Sequence, residues 1–159
     1  MLDRTLRDES VWEIGKGLEV DWYERMTKLL LTTSAILELP VGLALLLAPS
    51  WTASTLLGAS LEAPIALTVA RLCGAGLLSL GVVCAMARRH AADSAASAVT
   101  AGLLIYNLGA AGVLAHSALA NGLTTLFTWP ITILHAAMAA WCAACLASVL
   151  RAAPRPLRT

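Results

Sequence analysis

Charged side chains are scarce in this sequence of 159 residues. They make up 13% of the chain, against 58% hydrophobic residues, whereas soluble domains average about 25% charged residues. Seven of the ten acidic residues precede Met26. Between Leu29 and Leu150 the charged residues are only Glu38, Glu62, Arg71, Arg88, Arg89 and Asp93. A single soluble core cannot accommodate so much apolar sequence, so we expect an integral membrane protein.

Several other features are also missing, and each absence excludes a class of protein. The net charge is only +1, aromatic residues make up 5%, and no basic run accompanies them, which argues against a nucleic-acid partner. The four cysteines lie in apolar stretches, unlike the disulfide framework of a small secreted domain. No glycine-rich phosphate loop, serine-nucleophile elbow or paired-carboxylate motif is present. The first 25 residues are charged, so no cleavable signal peptide is expected.

Four apolar blocks are each long enough for an α-helix to cross a bilayer. They predict an all-α, integral-membrane, up-down-up-down four-helix bundle over residues 26–150. The spans are expected at about 28–48, 64–87, 95–117 and 125–150. Residues 1–25 should form a cytoplasmic segment, either a short helix in the membrane interface or an irregular tail. Residues 151–159 should form a basic, disordered cytoplasmic tail.

The distribution of lysine and arginine predicts the orientation in an inner (plasma) membrane. The N-terminal segment, the loop with Arg88 and Arg89 and the C-terminal tail contain lysine or arginine, whereas residues 49–63 and 118–124 contain neither. Basic loops remain cytoplasmic, so both termini should face the cytoplasm. Trp51 and Trp129 then belong to the outer interfacial belt.

Small residues recur at helical spacing and predict close helix packing. Examples are the pairs Ala70-xxx-Gly74 and Ala98-xxx-Gly102. Such residues let helix backbones approach where lipid offers no hydrophobic gradient.

One strongly polar residue lies deep in each predicted span: Glu38, Arg71, Asn107 and His135. Counting ~1.5 Å per residue from the outer end of each helix places all four roughly 11–15 Å below that end. Arg71 is charged at any accessible pH, and Glu38 is the only carboxylate within a span, so we expect Glu38 to be its counter-ion. Asn107 can donate and accept hydrogen bonds, and His135 can bridge or titrate.

Helical spacing places further polar or polarisable residues beside this layer. The candidates for lining it are Ser34, Thr68, Tyr106, Thr132 and Met138. Two interpretations remain open: a site for a ligand or proton, or an ion pair that only fixes helix register. Tyr106 could line a quinone or lipid pocket, although a hydrogen bond across the bundle is the simpler expectation.

Cofactor chemistry has weaker candidates. Cys142 and Cys145 have the C-x-x-C spacing of thiol oxidoreductases, but reactive cysteines need exposure, so small core residues are the favoured reading. A haem would need two ligands at one depth, and His116 is predicted near the outer boundary while His135 is deep. The three histidines do not have the spacing of a zinc site. No metal or cofactor is therefore expected, with quinone or haem as alternatives.

Each span carries a characteristic block: ILELPVGLALLLAPSW, VARLCGAGLLSLGV, LIYNLGAAGVL and WPITILHAAMAAWC. These blocks resemble small bacterial four-span proteins of uncharacterised function, and their general shape is similar to DoxX-like membrane proteins. Some DoxX-like proteins are linked to oxidoreductase complexes, so the resemblance implies an accessory redox role.

The sequence thus leaves three hypotheses for function. The first is a non-enzymatic protein that binds a small or lipidic ligand, or passes a solute or proton, at the polar layer. The second is a quinone- or thiol-linked redox component, and the third is a structural subunit that docks other membrane subunits or a second copy.

Overall fold

A computed structural model describes the backbone of residues 2–152 and the side chains of residues 21–151. The described chain is helical throughout, apart from short connections. It contains five α-helices: α1 (Leu2–Leu47), α2 (Pro49–Leu57), α3 (Pro64–Ala87), α4 (Ser94–Asn121) and α5 (Thr128–Ala152). A short 3-10 turn, Arg88–His90, follows α3.

Four of these helices are long and apolar enough to cross a membrane. The candidate spans contain 24 to 28 residues each, which corresponds to about 36–42 Å at ~1.5 Å per residue. A bilayer core of ~30 Å is therefore covered by every one of them. They are Asp21–Leu47, Pro64–His90, Ser94–Asn121 and Thr128–Arg151. The predicted all-α, up-down-up-down bundle of four long helices is confirmed.

The N-terminal segment differs from both forms expected from the sequence. Helix α1 begins at Leu2 and continues without a break into the first span, so residues 2–25 form neither a short separate helix nor an irregular tail. The residues at the start of the span, such as Glu24, Arg25 and Met26, are good helix formers. Pro40 lies within α1, where a membrane helix tolerates its missing donor.

The first connection contains a helix that the sequence did not predict. Helix α2 has Pro49 at its first turn and ends at Gly58, whose φ of 78° lies in the left-handed region. Both are standard start and stop signals, but the helix is only nine residues long. A helix this short, in a connector rich in serine and threonine, has no clear helical pattern in the sequence.

The connection between α4 and α5 is a capped turn. Gly122 ends α4 with a φ of 65°, the left-handed conformation that is common for glycine at the end of a helix. The Thr128 side chain accepts a hydrogen bond from the Thr125 backbone N–H at 2.9 Å. Helix α5 begins at Thr128 rather than near residue 125. The tail expected at 151–159 begins with Arg151 and Ala152 in α5, and its remainder lies outside the described residues.

The helices run alternately between two ends of the bundle. The basic end carries Arg25, the Arg88–His90 turn and Arg151. The opposite end carries α2 and the α4–α5 turn, which are joined by a hydrogen bond of 3.0 Å from the Thr125 hydroxyl to the Leu56 carbonyl. Two helix pairs, α1 with α3 and α4 with α5, have the most extensive contacts.

The contact between α1 and α3 is a seam of three glycines. A Cβ at Gly42 would lie 2.8 Å from the Gly74 carbonyl oxygen, and one at Gly74 would lie 2.7 Å from the Gly42 carbonyl oxygen. A Cβ at Gly81 would lie 2.8 Å from Cγ of Leu39. These glycines, which we call the glycine seam, let the two backbones approach closely. They also fix which face of α3 turns toward α1.

The second predicted small-residue pair, Ala98 and Gly102, does not pack against another helix. Ala98 and Gly102 are exposed, and a Cβ at Gly102 would meet nothing within 4 Å. Small residues alone therefore did not identify the packed faces. A buried core joins the two helix pairs instead, through Leu30, Leu31, Ala35, Cys84, Ala96, Leu103, Met138, Cys142 and Cys145.

Candidate functional site

The Glu38 carboxylate lies within the bundle and is bound by a tyrosine. Glu38 of α1 is only 6% exposed, and the Tyr106 hydroxyl of α4 donates a hydrogen bond to its Oε2 at 3.1 Å. An intramembrane carboxylate without a partner would be costly. Tyr106 thus takes the role predicted for Arg71, and it makes the predicted hydrogen bond across the bundle.

Asn107 binds the histidine of the neighbouring helix. Its Nδ2 donates to the Leu103 carbonyl at 2.8 Å, which turns Oδ1 toward Nδ1 of His135, also at 2.8 Å. Because an amide oxygen only accepts hydrogen bonds, Nδ1 must carry the imidazole proton. The neutral imidazole then leaves Nε2 as a hydrogen-bond acceptor.

A ring contact joins these two hydrogen-bonded pairs. The rings of Tyr106 and His135 meet edge to face, with centroids 5.6 Å apart and an angle of 86° between their planes. This geometry is favourable between aromatic rings. Glu38, Tyr106, Asn107 and His135 therefore form one polar cluster that links α1, α4 and α5, and the name polar cluster refers to these four residues below.

Three polar atoms at this cluster have no protein partner among the described side chains. Glu38 Oε1 and His135 Nε2 accept no hydrogen bond, and neither atom is completely enclosed. Ser34 lies one helical turn from Glu38, and its hydroxyl is fully buried without a partner. Buried polar groups are nearly always hydrogen-bonded to protein, water or ligand. The cluster thus has unused capacity for a polar group that is not part of the described chain.

Arg71 is not part of the polar cluster. Its side chain is exposed on α3, and no ion pair with Glu38 is present among the described residues. Arg71 lies three residues before Gly74, or about 60° around the helix from the glycine seam. It therefore flanks the α1–α3 contact, from where a long side chain can extend toward the membrane interface. The expectation that Arg71 is the counter-ion of Glu38 is wrong.

The residues predicted to line the site have different positions. Thr68 is exposed beside Arg71, and its hydroxyl donates to the Pro64 carbonyl of its own helix. Thr132 is buried and likewise donates to the Thr128 carbonyl. Met138 belongs to the apolar core. Of the five predicted lining residues, Tyr106 belongs to the polar cluster through its bond to Glu38. Ser34 has an unsatisfied hydroxyl one helical turn from Glu38.

The cysteines of the C-x-x-C pair are packed in the apolar core. Cys142, Cys145 and Cys84 are each 0% exposed, whereas Cys73 is exposed on α3. Thiol exchange requires access and a thiolate, which this core does not provide. The structure therefore favours the interpretation of Cys142 and Cys145 as small core residues.

We expect the buried cysteines to be inert in the folded protein. A membrane-permeant maleimide should leave Cys84, Cys142 and Cys145 unmodified, because reagent and thiolate cannot meet in the core. Mass spectrometry of peptides checks this, with denatured protein as the control in which all four cysteines react. Rapid modification of Cys142 or Cys145 in the folded protein would restore the thiol hypothesis.

The described part of the chain contains no arrangement of side chains that could bind a metal ion or a haem between His116 and His135. No group of three or more histidine, cysteine, aspartate or glutamate residues is placed to hold a metal ion there. His116 is exposed, and His135 is bonded to Asn107 rather than facing His116. A bis-histidine haem site between these two residues has no geometric support.

Comparison of the chain with protein-family models, curated proteins and solved structures gives no match. The resemblance to DoxX-like proteins therefore stays a prediction. The feature of the described chain that bears most directly on function is the polar cluster, because some of its hydrogen-bonding atoms have no protein partner.

Proposed function

We propose that this protein is a multi-pass inner-membrane protein that binds a small or lipidic ligand at the polar cluster. The observation that carries the proposal is a set of polar atoms without protein partners: Glu38 Oε1 and His135 Nε2 in the polar cluster, and Ser34 Oγ one helical turn from Glu38. A cluster that served only to lock helices together would be expected to satisfy its own members. Polar residues with remaining capacity inside a membrane favour a functional site.

The chemistry of these atoms suggests what the ligand offers. His135 Nε2 accepts, so the ligand should present a hydroxyl or N–H donor there. Its remainder should be apolar, because the surrounding helices are apolar. A quinol satisfies both conditions, which makes a quinone-linked redox component the alternative function. Tyr106 and His135 would then contact the quinol head group.

The topology supports a specific orientation. The first span begins and the fourth span ends at the basic end, which also carries the Arg88–His90 turn. Under the positive-inside rule, the basic end faces the cytoplasm. Trp51 and Trp129 are exposed at the opposite end, where aromatic residues contact the outer interface.

Ligand retention in a Glu38→Gln variant tests the proposed site. The glutamine oxygen can still accept the Tyr106 hydrogen bond, so the bundle should fold while the carboxylate chemistry is lost. Native mass spectrometry of protein extracted in a mild detergent, with an absorption spectrum of the same sample, should show a bound non-protein mass in the wild type. Glu38→Gln and His135→Phe should lose that mass.

Glu62→Gln is the matched control, because Glu62 is a carboxylate exposed in a connection. It should retain the ligand. Retention of every bound mass in Glu38→Gln and His135→Phe would contradict the proposed site. A wild-type protein that carries no ligand and co-purifies with a stoichiometric partner would favour the structural-subunit hypothesis.

A further inference from the structure

A second candidate site lies at the basic end, between the end of α3 and the start of α4. It is a surface pocket of ≈ 360 Å³. Four of its lining residues are apolar, and we call them the floor: Met86, Ala87, Ala95 and Ala96. The other three are polar, and we call them the rim: Arg89, His90 and Asp93. The pocket is separate from the polar cluster, with which it shares no residue.

The pocket is located where the apolar part of α3 stops. Helix α3 ends at Ala87, and the next three residues, Arg88–His90, are basic. Helix α4 then begins at Ser94. The floor thus belongs to the apolar spans and the rim to the polar connection. In a bilayer this boundary is occupied by phospholipid head groups and the first part of their acyl chains.

The rim carries both signs of charge. The guanidinium of Arg89 is positive, and the carboxylate of Asp93 lies 3.8 Å from Nδ1 of His90. All three side chains are exposed, so they remain accessible to a head group. A phosphate would be attracted by Arg89, while the Asp93 carboxylate would repel a purely anionic group and attract an ammonium.

We propose that this pocket binds a phospholipid with an amine-bearing head group, such as phosphatidylethanolamine. Arg89 contacts the phosphate, Asp93 contacts the ammonium, and the acyl chains begin on the floor of Met86, Ala87, Ala95 and Ala96. The pairing of one cation and one anion on the rim matches a zwitterion. A site for anionic lipid would instead be lined by cations alone.

Two neighbouring arginines provide the matched test. Arg88 and Arg89 are adjacent in the same 3-10 turn and both are exposed, but only Arg89 lines the pocket. Native mass spectrometry should count the phosphatidylethanolamine and phosphatidylglycerol retained by delipidated protein that has been titrated with each lipid. Circular dichroism of each variant verifies that it is folded.

Arg89→Gln should weaken phosphatidylethanolamine binding by roughly fivefold, which corresponds to ~1 kcal/mol for one arginine at a membrane surface. Arg88→Gln should change it much less. Asp93→Asn should weaken phosphatidylethanolamine binding while leaving phosphatidylglycerol binding unchanged or stronger. Addition of inorganic phosphate should not displace the lipid.

Three results would overturn the inference. Equal losses in Arg88→Gln and Arg89→Gln would show a general attraction between basic residues and lipid. Equal effects of Asp93→Asn on both lipids would show that no ammonium is recognised. Displacement by inorganic phosphate would show that the pocket recognises the phosphate group alone and not the whole lipid. None of these results would affect the polar cluster, so the two proposals are tested independently.

Discussion

Replacement of Gly74 by alanine is expected to destabilise the bundle by about 1–3 kcal/mol, the usual cost of overpacking a tight contact. The new Cβ would lie 2.7 Å from the Gly42 carbonyl oxygen and 2.8 Å from the Leu46 backbone nitrogen. Both are backbone atoms, which cannot move aside as the end of a flexible side chain can. The helices α1 and α3 would have to separate, and the glycine seam would lose its close packing.

Gly76→Ala is the matched control for this prediction, because a Cβ at Gly76 would meet nothing within 4 Å. It should leave stability unchanged or slightly raised, since alanine favours a helix over glycine. Reversible unfolding in mixed detergent micelles measures both variants against the wild type. Equal stability of Gly74→Ala and Gly76→Ala would show that α1 and α3 do not meet at the glycine seam.

Asn107→Leu is expected to have the largest effect within the polar cluster. Asn107 is 2% exposed, and its removal leaves the Nδ1–H of His135 without its acceptor at 2.8 Å. Hydrogen bonds between membrane helices average ~0.6 kcal/mol and reach ~1.7 kcal/mol. We expect a loss toward the upper value, because a buried donor would be left unsatisfied.

A double-mutant cycle separates this bond from other consequences of the substitution. Asn107→Leu, His135→Phe and the double variant are measured by the same unfolding assay as the glycine variants. If the two side chains interact, the double variant should lose less stability than the sum of the single variants. Additive losses would indicate that Asn107 and His135 do not contact each other in the folded protein.

The sequence predicted the helices and their approximate depth because both depend on local properties. The length of each apolar block determines a span, and residue counts place Glu38, Asn107 and His135 at one level. In the structure Asn107 and His135 are hydrogen-bonded to each other. Glu38 is connected to them through Tyr106, which binds Glu38 and contacts the ring of His135. Tyr106 could be suspected as a member because it neighbours Asn107 and its aromatic ring carries a hydroxyl.

Arg71 shows why depth in the membrane does not by itself predict which side chains meet. Two residues at the same depth meet only if their helices are rotated toward each other, and rotation depends on tertiary packing. The glycine seam turns Gly74 and Gly81 of α3 toward α1, which leaves Arg71 exposed. The sequence pattern did identify Gly74 as a packing residue. It did not distinguish the packed Gly74 from Gly102, which is exposed on α4.

Helix boundaries were missed for a different reason. The continuation of α1 to Leu2 is compatible with the absence of proline before Pro40. The charged composition of residues 1–25 indicates a change from the membrane to water, and the predicted end of the helix at this point assumed that the secondary structure changes as well. Helix α2 is short and depends on contacts at the opposite end of the bundle, such as the bond from Thr125 to Leu56.

The protonation of His135 tests the proposed site most directly. Solid-state NMR of protein with ¹⁵N-labelled histidine, in a His90→Gln and His116→Gln background, observes this one imidazole in a bilayer. We predict a proton on Nδ1 and an unprotonated Nε2, whose resonance shifts when lipids extracted from the native membrane are added. A proton on Nε2, or an Nε2 resonance that the extract does not change, would contradict a ligand site at the polar cluster.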